Sequence, residues 1–155
     1  MSKVRLGIIG YGYWGTNLVR NFFSSENCAL TTVADGSSDR LSLLARNFPS
    51  IEGVRSGEEL IDDPSIDAVV IATPVFTHYP LAKRALNNGK HVLIEKPMTS
   101  SAAEAEELIA LADQKGLTLM VDHTFLYTGA VQKMRELVDN QTIGIPQYFD
   151  STRIN

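Results

Sequence analysis

Five short apolar runs that alternate with segments of helical periodicity constrain the fold of this 155-residue chain more than any other feature. The runs are Val4–Ile9 and residues 30–35, 67–72, 91–95 and 118–121. They are continuous rather than alternately apolar and polar, which is typical of strands that helices cover on both faces. Repeated strand–helix units of this kind predict a doubly wound α/β domain built on a parallel sheet.

Apolar residues between these runs recur at the spacing of one helix face. The first set is Leu41, Leu44, Ala45 and Phe48, and the second is Ala105, Leu108, Ile109 and Ala112. Ser101 followed by Glu104 predicts a capping box at the start of the second helix. Gly89 and Gly116 stand where left-handed helix ends are expected.

The pattern changes after the last of the five runs. A further helix is predicted over residues 130–138 and a strand over residues 147–154. We therefore expect one domain over residues 1–122. Residues 123–155 are then a linker helix and the first strand of a second domain.

Composition and charge exclude several classes of protein. With 44% hydrophobic and 21% charged residues, the chain is able to bury a core rather than remain disordered. Its net charge is −4 and no basic stripe is interleaved with aromatic residues, so we expect no nucleic-acid partner. Cys28 is the only cysteine, which leaves no disulfide framework and no paired-cysteine metal site. No apolar run approaches about 18 residues, so we expect no membrane partner and a cytoplasmic location.

A glycine motif lies between the first apolar run and a helical segment. Gly10, Gly12 and Gly15 form a Gly-x-Gly-x-x-Gly sequence. The first glycine permits a tight turn, the second lets the backbone approach a pyrophosphate, and the third allows close packing of helix on strand. The helix N-terminus then offers N–H groups to the phosphates. A bare structural turn is the alternative, but Asp35 follows Gly15 by 20 residues, where the ribose-binding acid of a Rossmann domain is expected.

The choice of cofactor depends on Asp35. A carboxylate there accepts hydrogen bonds from both ribose hydroxyls and repels a 2'-phosphate, which favours NAD over NADP. Arg40 follows closely, and an arginine is able to pair with that phosphate, so NADP is disfavoured rather than excluded. Tyr13 and Trp14 are large for such a loop, and they either cover the cofactor or pack against the helix.

Polar residues follow the third and fourth runs, at the sheet edge where ligands of such domains lie. Thr73 and Pro74 follow one run and His78 comes shortly after, although pattern alone favours a first-turn surface histidine. Glu95 is the last residue of the next run, and Lys96 follows it. A lysine there is able to hold a substrate hydroxyl or help to move its proton, whereas a charged pair after a strand is usually a solvated loop.

With these motifs in order, the chain resembles the Gfo/Idh/MocA family, the glucose–fructose oxidoreductase and inositol dehydrogenase group. The resemblance rests on residues 7–15, on Thr73, Pro74, Thr77 and His78, and on Glu95, Lys96 and Pro97. It implies hydride transfer between a nicotinamide and a sugar or cyclitol carbon. By resemblance, Lys96 would contact the reacting hydroxyl and the nicotinamide, and Glu95 would lie near the cofactor. The cofactor pocket would be lined by Thr73, Pro74 and His78.

Residues 122–127 and 150–155 are most similar to family members that act on nucleotide-linked sugars, such as UDP-N-acetylglucosaminuronate 3-dehydrogenases. By that resemblance His123, Tyr127 and Arg153 are candidate substrate residues. A hydrogen-bonded linker histidine is an equal alternative for His123.

Members of the family are normally more than twice this length, and their second, α+β domain binds substrate, mediates homo-oligomer contacts and supplies a catalytic Asp and His. The resemblance therefore implies that these residues form the cofactor-binding part and the beginning of the second domain, inactive alone. The alternatives are a non-catalytic dinucleotide-binding or regulatory module and a methyltransferase-like Rossmann domain, in which Lys96 would have no evident role.

Overall fold

Strands and helices alternate along the chain as the apolar runs predict. The computed structural model describes residues 3–152 and 154. The strands are β1 (Val4–Ile9), β2 (Cys28–Ala34), β3 (Glu52–Val54), β4 (Ala68–Ile71), β5 (His91–Ile94) and β6 (Leu119–Val121). The helices are α1 (Tyr13–Phe23), α2 (Ser38–Asn47), α3 (Gly57–Asp62), α4 (His78–Asn87), α5 (Ala102–Lys115) and α6 (Gly129–Asp139). Two one-turn 3-10 helices, Val75–Thr77 and Thr124–Tyr127, precede α4 and α6.

The described strands form one parallel sheet with the order β3-β2-β1-β4-β5-β6. The chain first builds outwards from β1 through β2 and β3, and then returns to the other side through β4, β5 and β6. Ile9 at the end of β1 pairs with Ala34 of β2 and with Ile71 of β4. The strand order thus reverses around β1, and a crevice forms outside the carboxyl ends of the strands at such a point. The predicted doubly wound α/β fold is confirmed.

Helices cover both faces of the sheet. On one face, Val19 of α1 and Leu44 of α2 join Ile8 of β1 in a buried cluster. On the other face, Leu86 of α4 joins Ile71 of β4. Each aliphatic side chain buried in this way stabilises the fold by about 1.5–3 kcal/mol. Burial on both faces explains why the apolar runs are continuous rather than alternating.

The predicted helix ends agree with the structure. Ser101 accepts a hydrogen bond from the Glu104 N–H at 3.3 Å, as a capping box requires. In a capping box the Glu104 carboxylate would accept from the Ser101 N–H; here it accepts from the N–H of the preceding residue, Ser100, at 3.1 Å. Gly89 and Gly116 have φ values of +74° and +65°, in the left-handed region.

The strand β3 and the helix α3 were not predicted, and neither were the two 3-10 helices; one predicted strand was wrong. β3 has only three residues, and the short helix α3 follows it, so neither carries a full period of apolar residues. The strand predicted over 147–154 is absent from the described residues 147–152 and 154. A strand is held by backbone hydrogen bonds to a neighbouring strand, and the described residues of the second unit contain no strand that could pair with it.

The chain divides by its internal contacts into two units, Met1–Asp122 and His123–Asn155. The first contains the whole described sheet and α1 to α5, and the second contains α6. Among the described residues, no helix combines the length and apolar character needed to cross a bilayer.

Candidate dinucleotide-binding cleft

A cleft of about 500 Å³ opens at the carboxyl ends of β1, β2, β4 and β5. It is lined by most of the residues that the sequence singled out: Gly10, Gly12, Tyr13 and Trp14 from the glycine loop, Asp35 and Arg40 after β2, Thr73 and Pro74 after β4, and Glu95 and Lys96 after β5. Gly15 and His78 are not in the lining. Volumes of this size are ordinary for small-molecule and cofactor sites.

Gly10 and Gly15 are glycines that the fold itself requires. Gly10 has φ +101°, and a Cβ there would lie 2.5 Å from the carbonyl oxygen of Ala72 in the loop after β4. A Cβ on Gly15 would overlap the carbonyl oxygen of Gly10. Side chains at these two positions would therefore push α1 away from the ends of β1 and β4.

Gly12 is different, because the fold has room for a side chain there. Its φ is −85°, and the only atom within 4 Å of a built Cβ is Nη1 of Arg40, at 3.8 Å. It is the N-cap of α1, and in the described structure no side chain caps that end and no acidic residue lies in the first turn. The first N–H groups of α1 have no intrahelical partners, and the residues that begin the helix, Tyr13 and Trp14, line the cleft together with Gly12. A helix end of this kind suits a phosphate.

Asp35 lies at the end of β2 and is only 8% exposed. Its Oδ2 accepts from the Tyr11 N–H at 2.7 Å and from Nη1 of Arg40 at 3.4 Å. Its Oδ1 accepts from the Ser37 N–H at 2.8 Å. Asp35 thus joins the glycine loop to the turn after β2, and Oδ1 keeps the greater capacity to accept from a ligand hydroxyl.

Arg55 lies in the same cleft and was missed by the sequence reasoning. It follows β3, which was also missed. Its Nη2 donates to the carbonyl oxygen of Gly36 at 2.9 Å, one residue after Asp35. Only a correct prediction of β3 as the neighbour of β2 would have indicated it.

The two aromatic residues of the glycine motif, which begin α1, are exposed rather than packed into the core. Tyr13 is 82% exposed and Trp14 48%, and their rings meet edge to face with centroids 5.4 Å apart. Both line the cleft. Their exposed faces are therefore placed to contact a ligand.

His78 connects two loops behind the cleft. It is 1% exposed, so the alternative of a surface histidine is wrong. Its Nε2 lies 2.7 Å from the Thr73 carbonyl oxygen and its Nδ1 lies 2.9 Å from the Pro97 carbonyl oxygen. The ring therefore holds the segment after β4 against the segment after β5. Thr77 is the N-cap residue of α4, but its side chain makes no capping hydrogen bond. Its hydroxyl donates instead to the Pro74 carbonyl oxygen at 2.7 Å.

Glu95 and Lys96 lie side by side at the end of β5 but differ in environment. Glu95 is 8% exposed, and its Oε2 accepts from the Lys96 N–H at 3.2 Å. Burial raises the pKa of Glu95, and the carboxyl group of Asp122, which is hydrogen-bonded to it, raises that pKa further. Lys96 is exposed, and the peptide bond that joins it to Pro97 is cis.

Asp122 is a second residue at this edge that sequence reasoning did not include among the site residues. It follows β6, and its N–H donates to the Ile94 carbonyl oxygen at 2.8 Å, which sets it beside Glu95. Two neighbouring carboxyl groups repel each other when both are charged, which is part of the reason why the pKa of Glu95 is raised.

The three candidate substrate residues belong to the second unit. His123 and Tyr127 are exposed. Arg153 lies outside the described residues. Among the residues that are described, no group of three or more His, Cys, Asp and Glu side chains is arranged to hold a metal ion.

A glycine turn at the switch point of a parallel sheet, followed by an uncapped helix end and an acid after β2, defines a Rossmann nucleotide-binding domain. The model of the Gfo/Idh/MocA oxidoreductase family, described by its NAD-binding Rossmann fold, matches residues 4–123. The chain belongs to this family, which confirms the resemblance noted from its motifs.

Similar proteins include enzymes that act on nucleotide sugars. The chain is 38% identical over 145 residues to dTDP-3,4-didehydro-2,6-dideoxy-alpha-D-glucose 3-reductase of Streptomyces violaceoruber, covering 93% of this chain and 42% of that protein. It is 31% identical over 162 residues to UDP-N-acetylglucosamine 3-dehydrogenase of Acidithiobacillus ferrooxidans, covering 99% and 46%. The chain thus spans less than half the length of these relatives.

A solved structure extends the likeness to a bound cofactor. The structure of KijD10, a 3-ketoreductase from Actinomadura kijaniata in complex with NADP and TDP-benzene, superposes with a TM-score of 0.82 at 29% identity. The match covers 90% of this chain and 43% of that one. A relative with this fold therefore binds NADP.

The raised pKa of Glu95 gives a testable dependence of stability on pH. The Glu95 carboxyl group binds a proton more tightly in the folded protein than in the unfolded chain. The unfolding free energy therefore falls as the pH rises from about 4.5, the ordinary pKa of a glutamate, through the raised pKa of Glu95. Glu95→Gln keeps the shape and hydrogen bonds of the protonated acid. We expect it to match the wild type in Tm at pH 4 and to exceed it at pH 7.

The control is Glu106→Gln on the exposed side of α5, for which the Tm is expected to be unchanged at both values of pH. A Glu95→Gln variant that melts at or below the wild-type Tm at pH 7 would contradict a raised pKa of the buried Glu95 carboxyl group.

Proposed function

We propose that this chain is the dinucleotide-binding part of an oxidoreductase that moves a hydride between a nicotinamide and the hydroxyl-bearing carbon of a sugar or nucleotide sugar. The observation that carries the proposal is Gly12. The fold would accept a side chain there, yet the sequence has glycine at the mouth of the cleft. A pyrophosphate group that must lie close to the Gly12 backbone explains why no side chain is present there.

The cofactor fits the cleft by charge and by shape. Its pyrophosphate would lie against Gly12 and the first N–H groups of α1, which form an uncapped positive helix end. The adenosine ribose would lie beside Asp35, and the nicotinamide would extend towards Thr73 and Pro74. Tyr13 and Trp14 would cover it from the loop.

NAD is the cofactor that Asp35 favours. Its carboxylate accepts from a ribose hydroxyl and repels a 2'-phosphate by like charge. The NADP bound to the Actinomadura ketoreductase shows that relatives of this fold accept the phosphorylated cofactor. We therefore propose a preference for NAD, with NADP as the weaker ligand.

The reacting end of the cleft contains Lys96 and Glu95. When bound, the nicotinamide supplies or accepts the hydride. Lys96 would donate a hydrogen bond to the oxygen of the reacting substrate hydroxyl, since its side chain is exposed in the cleft beside the end of β5. Glu95 would orient the Lys96 backbone by accepting the hydrogen bond from its N–H. His78 would keep the loops of Thr73 and Lys96 at a fixed separation.

The substrate class is proposed from the relatives. Two of them are named for reactions at the 3-position of nucleotide-linked sugars, and a third was solved with a TDP ligand. His123, Tyr127 and Arg153 stay candidates for substrate contacts. A cytoplasmic location and a homo-oligomer of the full-length protein remain predictions from the sequence.

We further propose that the 155-residue polypeptide binds the cofactor without sustained turnover. The relatives are more than twice as long. Holding the substrate carbon over the nicotinamide contributes about 7–11 kcal/mol to such reactions, and Lys96 alone does not position a sugar.

Replacement of Gly12 by valine tests the proposal directly. We expect Gly12→Val to weaken NAD binding by roughly 100-fold, because it removes about 3 kcal/mol of charge-assisted hydrogen bonding to the pyrophosphate. The Tm should change little, since the site of the added side chain is open. Titration calorimetry gives the affinity and calorimetric melting gives the Tm.

Gly15→Ala is the matched variant in the same loop. It should lower the Tm, because its Cβ would overlap the Gly10 carbonyl oxygen. An unchanged NAD affinity in a folded Gly12→Val variant would show that the glycine loop has no part in binding.

The proposed preference for NAD is tested at Asp35. Asp35→Asn removes the charge and keeps an oxygen acceptor for one of the two N–H groups of Tyr11 and Ser37, so the change is read from the ratio of the two affinities in the folded variant. We expect NADP affinity to rise relative to NAD by about tenfold, as one like-charge contact of about 1.4 kcal/mol is lost. Asp39→Asn on exposed α2 is the control and should leave the ratio unchanged. Equal or tighter binding of NADP by the wild type would contradict the preference.

A further inference from the structure

The ribose end of the cleft contains more positive than negative charge. One carboxylate, Asp35, and two guanidinium groups, Arg40 and Arg55, line it. The three side chains together have a formal charge of +1. Repulsion of a 2'-phosphate by Asp35 alone is therefore an incomplete account of this region.

The charge of Asp35 is largely occupied within the protein. The carboxylate is 7% exposed, and it accepts two backbone hydrogen bonds as well as the contact from Arg40. Each of these donors places positive charge next to the carboxylate and so reduces the negative potential that it presents to the cleft. Its repulsion of an anion is correspondingly weaker than that of an exposed aspartate.

Arg55 is held next to Asp35 by the sheet. The Asp35 N–H donates to the Val54 carbonyl oxygen at 3.0 Å, so the residue after Val54 emerges beside the turn after β2. The Arg55 Nη2 then donates to the Gly36 carbonyl oxygen at 2.9 Å. A backbone carbonyl therefore orients the guanidinium towards the ribose end of the cleft.

The guanidinium of Arg55 keeps donors for a ligand. In the part of the chain that the structure describes, Arg55 forms no ion pair with a carboxylate, whereas Arg40 pairs with Asp35. A guanidinium has five N–H groups, and the contact with Gly36 uses one. Arg55 is also exposed, so a ligand is able to reach it.

A 2'-phosphate is the ligand group that matches this arrangement. It carries about −1.5 to −2 charges near neutral pH and accepts hydrogen bonds on three oxygens. Arginine binds such groups through its planar fork of donors. The 2'-hydroxyl of NAD has no charge and gains much less from a second arginine.

We propose that Arg55 is a specificity-determining residue of the cleft, which binds the adenosine 2'-phosphate of NADP and so narrows the preference for NAD that Asp35 sets. This inference rests on the proposed function, because it requires that the cleft bind a nicotinamide dinucleotide. Arg40 of α2 and Arg55, which follows β3, both line the cleft with Asp35 and would both contact the phosphate.

The test measures the affinities of the 155-residue chain for NAD and NADP by titration calorimetry, for the wild type and for Arg55→Leu. We expect Arg55→Leu to weaken NADP binding by about tenfold or more, as a charge-assisted hydrogen bond is lost. NAD binding should stay within about twofold. Arg55→Lys, which keeps the charge but not the fork, should give an intermediate NADP affinity.

Arg46→Leu is the matched control, since Arg46 is an exposed arginine of α2 outside the cleft lining. It should leave both affinities within about twofold, which separates a local contact from a change in net charge. Tm values of all variants should agree with that of the wild type.

Three results would overturn the inference. An equal loss of NAD and NADP affinity in Arg55→Leu would assign the arginine to the adenine or to the loop of Gly36. Unchanged affinities in Arg55→Leu, or a wild type that binds NAD but no NADP, would show that Arg55 has no role in cofactor specificity. A wild type that binds neither cofactor would contradict the proposed function itself, and the inference with it.

Discussion

The close approach of α1 to the ends of β1 and β4 is the constraint on which the rest of the cleft depends. Gly15 lies against the carbonyl oxygen of Gly10, and Gly10 lies against that of Ala72. Neither contact leaves room for a Cβ. The approach brings the N-terminus of α1 to the switch point of the sheet, where its unpartnered N–H groups form an anion site.

The polar contacts around the cleft hold its loops by way of the backbone. Asp35 receives N–H groups from the glycine loop and from the turn after β2, and His78 lies between two carbonyl oxygens of the loops after β4 and β5. Because these residues are buried, water does not compete for their hydrogen bonds. The ligand-facing residues Arg55 and Lys96 remain exposed. The site thus combines a buried frame with exposed cationic side chains, which suits an anionic cofactor.

Sequence reasoning predicted the features that depend on local pattern. The continuous apolar runs gave the parallel sheet, and the glycine spacing with Asp35 indicated the nucleotide turn. It missed β3, and with it Arg55, because a strand of three residues, of which two are exposed and one of those is a glycine, shows no hydrophobic periodicity. It could not assign His78, because the carbonyl oxygens of Thr73 and Pro97 meet only when β4 and β5 pair. The predicted strand over 147–154 was wrong, since a run of strand-forming residues does not supply the neighbouring strand that its hydrogen bonds require.

The central claim is that the pyrophosphate of a nicotinamide dinucleotide binds over Gly12 at the N-terminus of α1. Its most direct test is a titration of the ¹⁵N-labelled chain with NAD, followed by the backbone amide resonances. If the pyrophosphate binds over Gly12, we expect the largest shifts at residues 10–15, smaller shifts at Asp35 and at Thr73, and no shifts along β6. Shifts confined to α5 and β6 or to residues 123–155, or no shifts at saturating NAD, would contradict it.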